Sequence, residues 1–251
     1  MENLESILYF MEETLSVSEF PDYPNALNGL QVQGPEEVRR VVAAVDASER
    51  TIQAALETEA QLLVVHHGLF WDGFGALTGA RFRKVKALID GRMGLYAVHL
   101  PLDAHPDLGN CALLTRGIGM DPAGSFGAFQ GREIGCWASE TLHRDVLKER
   151  VSEAVEGEVR LIPGGPQLVE RVGVVTGGGA SFLEEAKQRG LCALITGEAA
   201  HHHFHEAMEL GINLYLGGHY ATETFGVKAL GAVLAAKFGL ELEFLDLPTG
   251  M

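Results

Sequence analysis

Three apolar runs in the sequence each end in histidine or carboxylate side chains, the donor types that hold transition-metal ions. In LLVVHHGLFW the run delivers His66 and His67 together. Side chains alternate along an extended chain, so the two imidazoles could serve different ions. The same dipeptide is also satisfied by a strand-capping histidine beside a core one. In YAVHLPLDAHPDLGN a second run ends at His99, followed by Asp103, His105 and Asp107 in a proline-broken loop. Asp103 suits a terminal or bridging ligand or a plain turn, while His105 and Asp107 read as solvated loop positions. In INLYLGGHYATETFGV a Gly-Gly turn leads to His219 and Glu223. Four residues apart, they share one face of an incipient helix and could clamp one ion. Together the three strand ends supply a mixed nitrogen and oxygen donor set, which favours transition metals over calcium or magnesium cages.

Competing chemistries have less support. Cys111, Cys136 and Cys192 are an odd, widely spaced set without a CxxC pair, so they read as small buried side chains rather than a disulfide framework or thiolate site. No GxSxG elbow is present. The turn TGGGAS after RVGVV could converge backbone N–H groups on a phosphate, but it lacks the P-loop lysine. A tight strand-to-helix turn capped by Ser181 explains it without a ligand. The formal charge of -15, with no basic run longer than Arg39 and Arg40, disfavours a broad nucleic-acid surface.

The elements that must carry these residues follow from periodicity. Leu4, Ile7, Leu8, Met11 and Leu15 lie at helical spacing, and Pro21 and Pro24 then force an extended passage to NGLQVQG. From Arg40, VVAAVDASERTIQAALETEAQLLVVHHG reads as strand, helix capped by Ser48, and buried strand, a βαβ unit. A comparable order returns in RVGVVTGGGASFLEEAKQRGLCALITGE, and the tail reads as a helix and a final strand. The class is therefore α/β, with two related lobes. The small-residue stretch DPAGSFGAFQG is the natural boundary, so the expected lobes are residues 1–125 with 212–251, and residues 126–211. No apolar run approaches the roughly 20 residues of a membrane span, and the acidic, helix-like start does not resemble a signal peptide. A cytoplasmic protein is expected.

HHGLFW, the His99 to Asp103 segment with its following GN, TGE with the later GGHYATE, and NGLQVQG resemble the NIF-three-like dinuclear metal-centre family, also called the GTP cyclohydrolase 1 type 2 family. The resemblance runs over nearly the whole chain in order. It implies two similar, intertwined α/β lobes with the metal site in the cleft between them, and assembly into homohexamers. It implies that His66, His67, Asp103, His219 and Glu223 hold two divalent transition-metal ions per chain: zinc, iron, manganese, nickel or cobalt. It places His99 beside the metals and puts His205, in TGEAAHHHFHEA, on a recurrent histidine, so both are candidate proton-relaying catalytic residues. His201, His202 and His203 depart from the family and read as a solvated helix face, although His201 and His205 lie one turn apart.

The expected chemistry is hydrolysis. Two metals roughly 3.5 to 4 Å apart would share a water and bring its pKa towards neutrality. The expected partner is a nucleotide-like or phosphorylated small molecule, with ring opening of GTP the reaction the family name suggests. A phosphoesterase is one alternative. Another is a scaffold or regulatory protein with structural metals, whose assembly binds a protein or DNA.

Overall fold

The computed structural model describes every residue except Asp72 and Phe74. Two compact units share the chain: residues 1–102 with 226–247, and residues 103–225 with 248–251. This division differs from the expected one, because residues 103–125 and 212–225 group with the second unit. Stretch 121–131, read as a boundary from its small residues, instead builds an edge strand there, with Phe126 fully buried.

The first unit begins with β1 (Glu2–Asn3) and α1 (Leu4–Leu15), whose first turn is capped by the Asn3 side chain. Leu4, Ile7, Met11 and Leu15 form the buried stripe of α1, and Leu8 is half-buried beside it. Next come β2 (Gly29–Val32), β3 (Glu37–Val38), β4 (Arg40–Asp46), α2 (Glu49–Glu57), β5 (Leu62–His67), α3 (Gly79–Asp90) and β6 (Gly94–Ala97). Ser48 caps α2 as expected, its hydroxyl accepting from the Thr51 N–H at 3.0 Å. Strands β4, β5 and β6 run parallel, β2 pairs antiparallel with β6, and β1 pairs with β3. The runs VVAAV and LLVVH are buried on both faces, as parallel strands between helices require. Ile52, Ala55, Val85 and Leu88 bring α2 and α3 into that core.

The second unit opens within α4 (Leu100–Asp103) and continues through α5 (Asn110–Gly117), the hairpin β7 (Gly124–Phe129) and β8 (Arg132–His143), α6 (Arg144–Ala154), β9 (Arg160–Pro163) and β10 (Leu168–Val174). A short 3-10 turn (Gly179–Phe182) precedes α7 (Leu183–Gln188), β11 (Ala193–Thr196), α8 (His202–Leu210), β12 (Asn213–Leu216) and α9 (His219–Thr222). Its six-stranded sheet has the order β7-β8-β10-β11-β12-β9. The chain then returns through α10 (Thr224–Phe238) to β13 (Glu241–Phe244), which pairs parallel with β4 and completes the first unit's order β13-β4-β5-β6-β2.

Both units repeat one topology. Strands β4-β5-β6 and β10-β11-β12 are each three consecutive parallel strands, and each third strand carries an antiparallel edge partner, β2 or β9. The third strand of each set also ends alike. After β6 come His99 and, four residues on, Asp103; after β12 come His219 and, four residues on, Glu223. Candidate ligands thus stand beyond the carboxyl ends of parallel strands, where open α/β sheets place ligand sites.

Candidate metal centre

In the first unit, β5 carries His66 and His67 at its last two positions and β6 leads to His99. His66 is fully buried and His99 nearly so. Alternation does not drive the adjacent rings apart: the His66 and His67 centroids are 4.7 Å from each other, and His99 lies 4.9 Å from the first and 5.7 Å from the second. Each of the three offers a ring nitrogen within 4.8 Å of the others.

Oxygen acceptors fix how these rings face. His66 Nδ1 lies 3.0 Å from the Val98 carbonyl, His67 Nδ1 is 2.8 Å from Asp46 Oδ1, and His99 Nδ1 is 2.9 Å from Asp22 Oδ1. Facing an oxygen, each Nδ1 donates its proton there, which leaves Nε2 as the ring atom that would meet a metal. Asp46 stands directly across from His67 in the β4–β5 register. Asp22 is more elaborately held, accepting also from Asn28 Nδ2 and from the Tyr23 and Leu100 N–H groups. Burial pushes the Asp22 carboxyl up, but the His99 hydrogen bond and charge, with Asn28 and the Tyr23 amide, outweigh it and leave the carboxyl below its ordinary value. Removing this hub with Asp22→Ala should cost about 3 kcal/mol, because several buried donors lose their acceptor. Denaturant unfolding checks this, and a change under 1 kcal/mol would assign Asp22 a lesser role.

The second unit holds its own candidate ligands, two carboxylates and an imidazole. Asp103 is buried, and its Oδ1 accepts from Asn110 Nδ2 at 2.8 Å and Thr176 Oγ1 at 3.1 Å. His219 donates from Nδ1 to Glu198 Oε1 at 3.0 Å, and its Nε2 is 3.1 Å from Oε2 of buried Glu223. The i, i+4 pair read from the sequence is thus formed, at the start of α9. With a carboxylate at each nitrogen the metal-free ring holds two protons. The Glu223 hydrogen bond and charge, aided by Glu198, overcome burial and raise the imidazole to about 9.

That shift has a sign. A folded-state value above the unfolded one gives stability that is complete below the ordinary imidazole value of 6.5 and is lost as pH rises through about 9. The metal-free chain should therefore lose part of its stability between pH 7 and 10, and Glu223→Gln should remove that part, as thermal melts at both pH values would show. An ion at Nε2 must displace a proton, so metal uptake there should strengthen with rising pH up to about 9.

The TGGGAS turn serves this pair rather than offering a free phosphate cradle. The Gly177 N–H donates to Thr222 Oγ1 at 3.1 Å and the Gly179 N–H to Thr196 Oγ1 at 2.8 Å. Ser181 lies inside the 3-10 turn, and no side chain caps that turn or α7. Gly177 has φ +61°, and a Cβ there would stand 2.1 Å from Glu223 Oε1 and 3.2 Å from His219 Nε2. Beside Asp103 a cavity of about 370 Å³ opens, lined among others by Cys111, Arg116, Ser125, Ile134 and Cys136.

Two predicted groups lie elsewhere. His205 is exposed on α8 with its ring against His201 and Phe204, and among the described residues it joins no group able to share an ion. His202, His203 and Glu206 do form such a group, on a face where His201 and His202 are exposed as expected. All three cysteines are free; Cys111 and Cys136 are buried and burial pushes both thiols up, while Cys192 is half-buried. The residues that sequence reasoning missed are the acceptors behind the histidines. Asp46 and Glu198 were signalled, since each ends an apolar run. Asp22 was not, because its partner His99 is 77 residues away.

Comparisons with known proteins cover nearly the whole chain. The family model described as Duf34/NIF3 (NGG1p interacting factor 3) matches residues 2–249. A Deinococcus radiodurans protein named GTP cyclohydrolase 1 type 2 homolog is 41% identical over 251 residues, covering 98% of this chain and 94% of its own length. An Archaeoglobus fulgidus protein of the same name is 41% identical over 249 residues, covering 99% of this chain and all of its own. Among solved structures, TTHA1606 from Thermus thermophilus superposes with TM-score 0.90 at 39% identity, over 99% of this chain and all of that one. Protein ybgI, titled as of unknown function, gives 0.92 at 33% identity over all of both chains.

Proposed function

The chain belongs to the DUF34/NIF3 family, and from that premise we propose that it is a dinuclear-metal-dependent hydrolase acting on a nucleotide-like or phosphorylated small molecule. His66 and His67 with Asp103, His219 and Glu223 hold two divalent transition-metal ions. The observation that carries this reading is the row of oxygen acceptors behind the imidazoles: Val98, Asp46 and Glu198 each engage Nδ1 of a proposed ligand. Metal-ligating histidines need such a partner to fix tautomer and raise basicity. The two donor sets are also chemically complementary. Imidazole nitrogens and carboxylate oxygens together are the N/O mixture that transition metals accept.

When bound, such a pair of ions supplies Lewis acidity and lowers the pKa of water towards neutrality. The chain's own residues do the rest. Asp103, fixed by Asn110 and Thr176, presents a carboxylate of set orientation. His99, its Nδ1–H held by Asp22, presents Nε2 to take a proton and pass it on, which suits a general base or acid. His205, exposed on α8 against His201 and Phe204, is the second candidate for the relay. The cavity beside Asp103 has the size of a small-ligand pocket and accommodates part of a substrate.

The test begins with elemental analysis of protein purified without chelator or metal-affinity resin. It continues with hydrolysis of GTP, other nucleotides and phosphoesters under added manganese, iron or zinc. About two ions per chain and metal-dependent turnover of one of these classes are expected. An inactive panel with metal-dependent assembly would instead favour a scaffold. Among the described residues no helix is long and apolar enough to cross a membrane.

A further inference from the structure

Tyr23 and Trp71 are the exposed aromatic residues of the first unit that stand against the histidine group. Their exposure, 48% and 37%, is high for rings of this size, which normally contribute most when buried. The two centroids are 6.2 Å apart. Trp71 lies 4.6 Å from His99 and 5.7 Å from His67, meeting both at near right angles, 89° and 83°. Tyr23 lies 5.9 Å from His99. Neither imidazole therefore stacks flat on the indole, and a continuous wall of Tyr23, Trp71, His67 and His99 runs from partly exposed aromatic surface to candidate metal ligands.

The wall is anchored by the same bonds that orient the histidines. Tyr23 follows Asp22, and its N–H donates to the carboxylate that holds His99. On the other side, Gln31 Oε1 accepts from the Leu69 N–H at 2.7 Å, and a Cβ at Gly68 would stand 2.2 Å from the Gln31 amide. Glycine at 68 thus lets the Gln31 side chain clamp the turn from which Trp71 projects. A surface-exposed indole on a clamped turn, beside groups suited to hydrolysis, has a plain use: a flat ring can lie against it without losing much entropy in the protein.

We propose that the Trp71 indole, with Tyr23 tilted 50° beside it, forms an aromatic face that takes a planar heteroaromatic ring of the substrate and presents it to His99 and the metals. This rests on the reading of the site as a hydrolytic metal centre and narrows its substrate from any phosphorylated small molecule to one bearing such a ring. Stacking also suits the acidic chain, because a neutral ring is not opposed by the net charge of -15.

Three probes separate ring from phosphate: guanosine, guanosine 5′-monophosphate and ribose 5-phosphate, titrated calorimetrically into the metal-loaded full chain. Trp71→Ala should weaken guanosine and guanosine monophosphate by roughly 10- to 100-fold, with Trp71→Phe milder and Tyr23→Ala intermediate, and leave ribose 5-phosphate unchanged. Metal content should not change, since neither residue is a ligand. Guanosine affinity unaltered in both alanine variants, or no guanosine binding to the loaded wild-type chain, would overturn the aromatic face. So would a change confined to mass in light scattering, which would give the wall to a second copy of the chain. The two readings fail separately. If a metal-depleted His66→Ala chain still binds guanosine in a Trp71-dependent way while no hydrolysis is found, the aromatic face stands and the catalytic reading falls.

Discussion

Asp103→Asn should strip the chain of at least one of the two proposed ions and lower the proposed hydrolysis by more than the roughly 100-fold that loss of an outer hydrogen-bond partner costs a metal site. The change keeps volume and leaves an acceptor for Asn110 and Thr176, so the metal-free fold should stay within about 1 kcal/mol of the wild type. What disappears is one negative charge at a buried position, 6% exposed, where a bound cation gains most from it. Thr176→Val, which removes only the hydroxyl behind Asp103, is the graded control and should cost roughly 10- to 100-fold in metal affinity. Elemental analysis and initial rates on the same preparations decide the matter. An Asp103→Asn chain that keeps two ions and wild-type turnover would sink the proposed centre.

Gly177→Ala should damage both the turn that carries it and the Glu223 site beside it. Its φ of +61° is a left-handed conformation that costs a side-chain-bearing residue roughly 1 to 2 kcal/mol. The new Cβ would also stand 2.1 Å from Glu223 Oε1, so Glu223 must swing away from His219 or the turn must shift. Strain and overpacking together should cost about 3 kcal/mol, which for a chain of this size lowers the melting temperature by roughly 6 to 12 °C. Displacing Glu223 should also return the His219 imidazole from about 9 towards its ordinary value and impair metal retention. Gly178→Ala, where a Cβ meets nothing within 4 Å, is the matched control and should be nearly silent. Equal melting points and equal metal content for the two variants would show that Gly177 does not shape the Glu223 site.

How far these residues were legible in the sequence depended on whether the interaction was local. The strands, the α/β class and the i, i+4 pairing of His219 with Glu223 follow from periodicity and helical geometry, which act over a few residues. So does the Ser48 cap. Family membership is legible for a different reason: its motifs lie in order along the chain. The expected boundary differs from the division into compact units: glycine and small residues in 121–131 look like a linker, yet pairing of β7 with β8 makes them an edge strand. Ser181 was misread as a cap because cap chemistry depends on whether the next turn is α or 3-10, which the residue type does not encode.

What only the tertiary structure decided is how the histidines face. The contacts that turn them join positions 21, 32 and 77 residues apart, and no local pattern ties Asp46 to His67, Val98 to His66 or Asp22 to His99. The same holds for Gly177, whose neighbour Glu223 arrives from the end of α9 and leaves no room for a Cβ. By itself, the sequence determined which donor types end each strand. Folding decided which nitrogen of each ring holds the proton, because that is set by an acceptor brought from a distant strand or loop, and a histidine without a defined tautomer is only a candidate ligand.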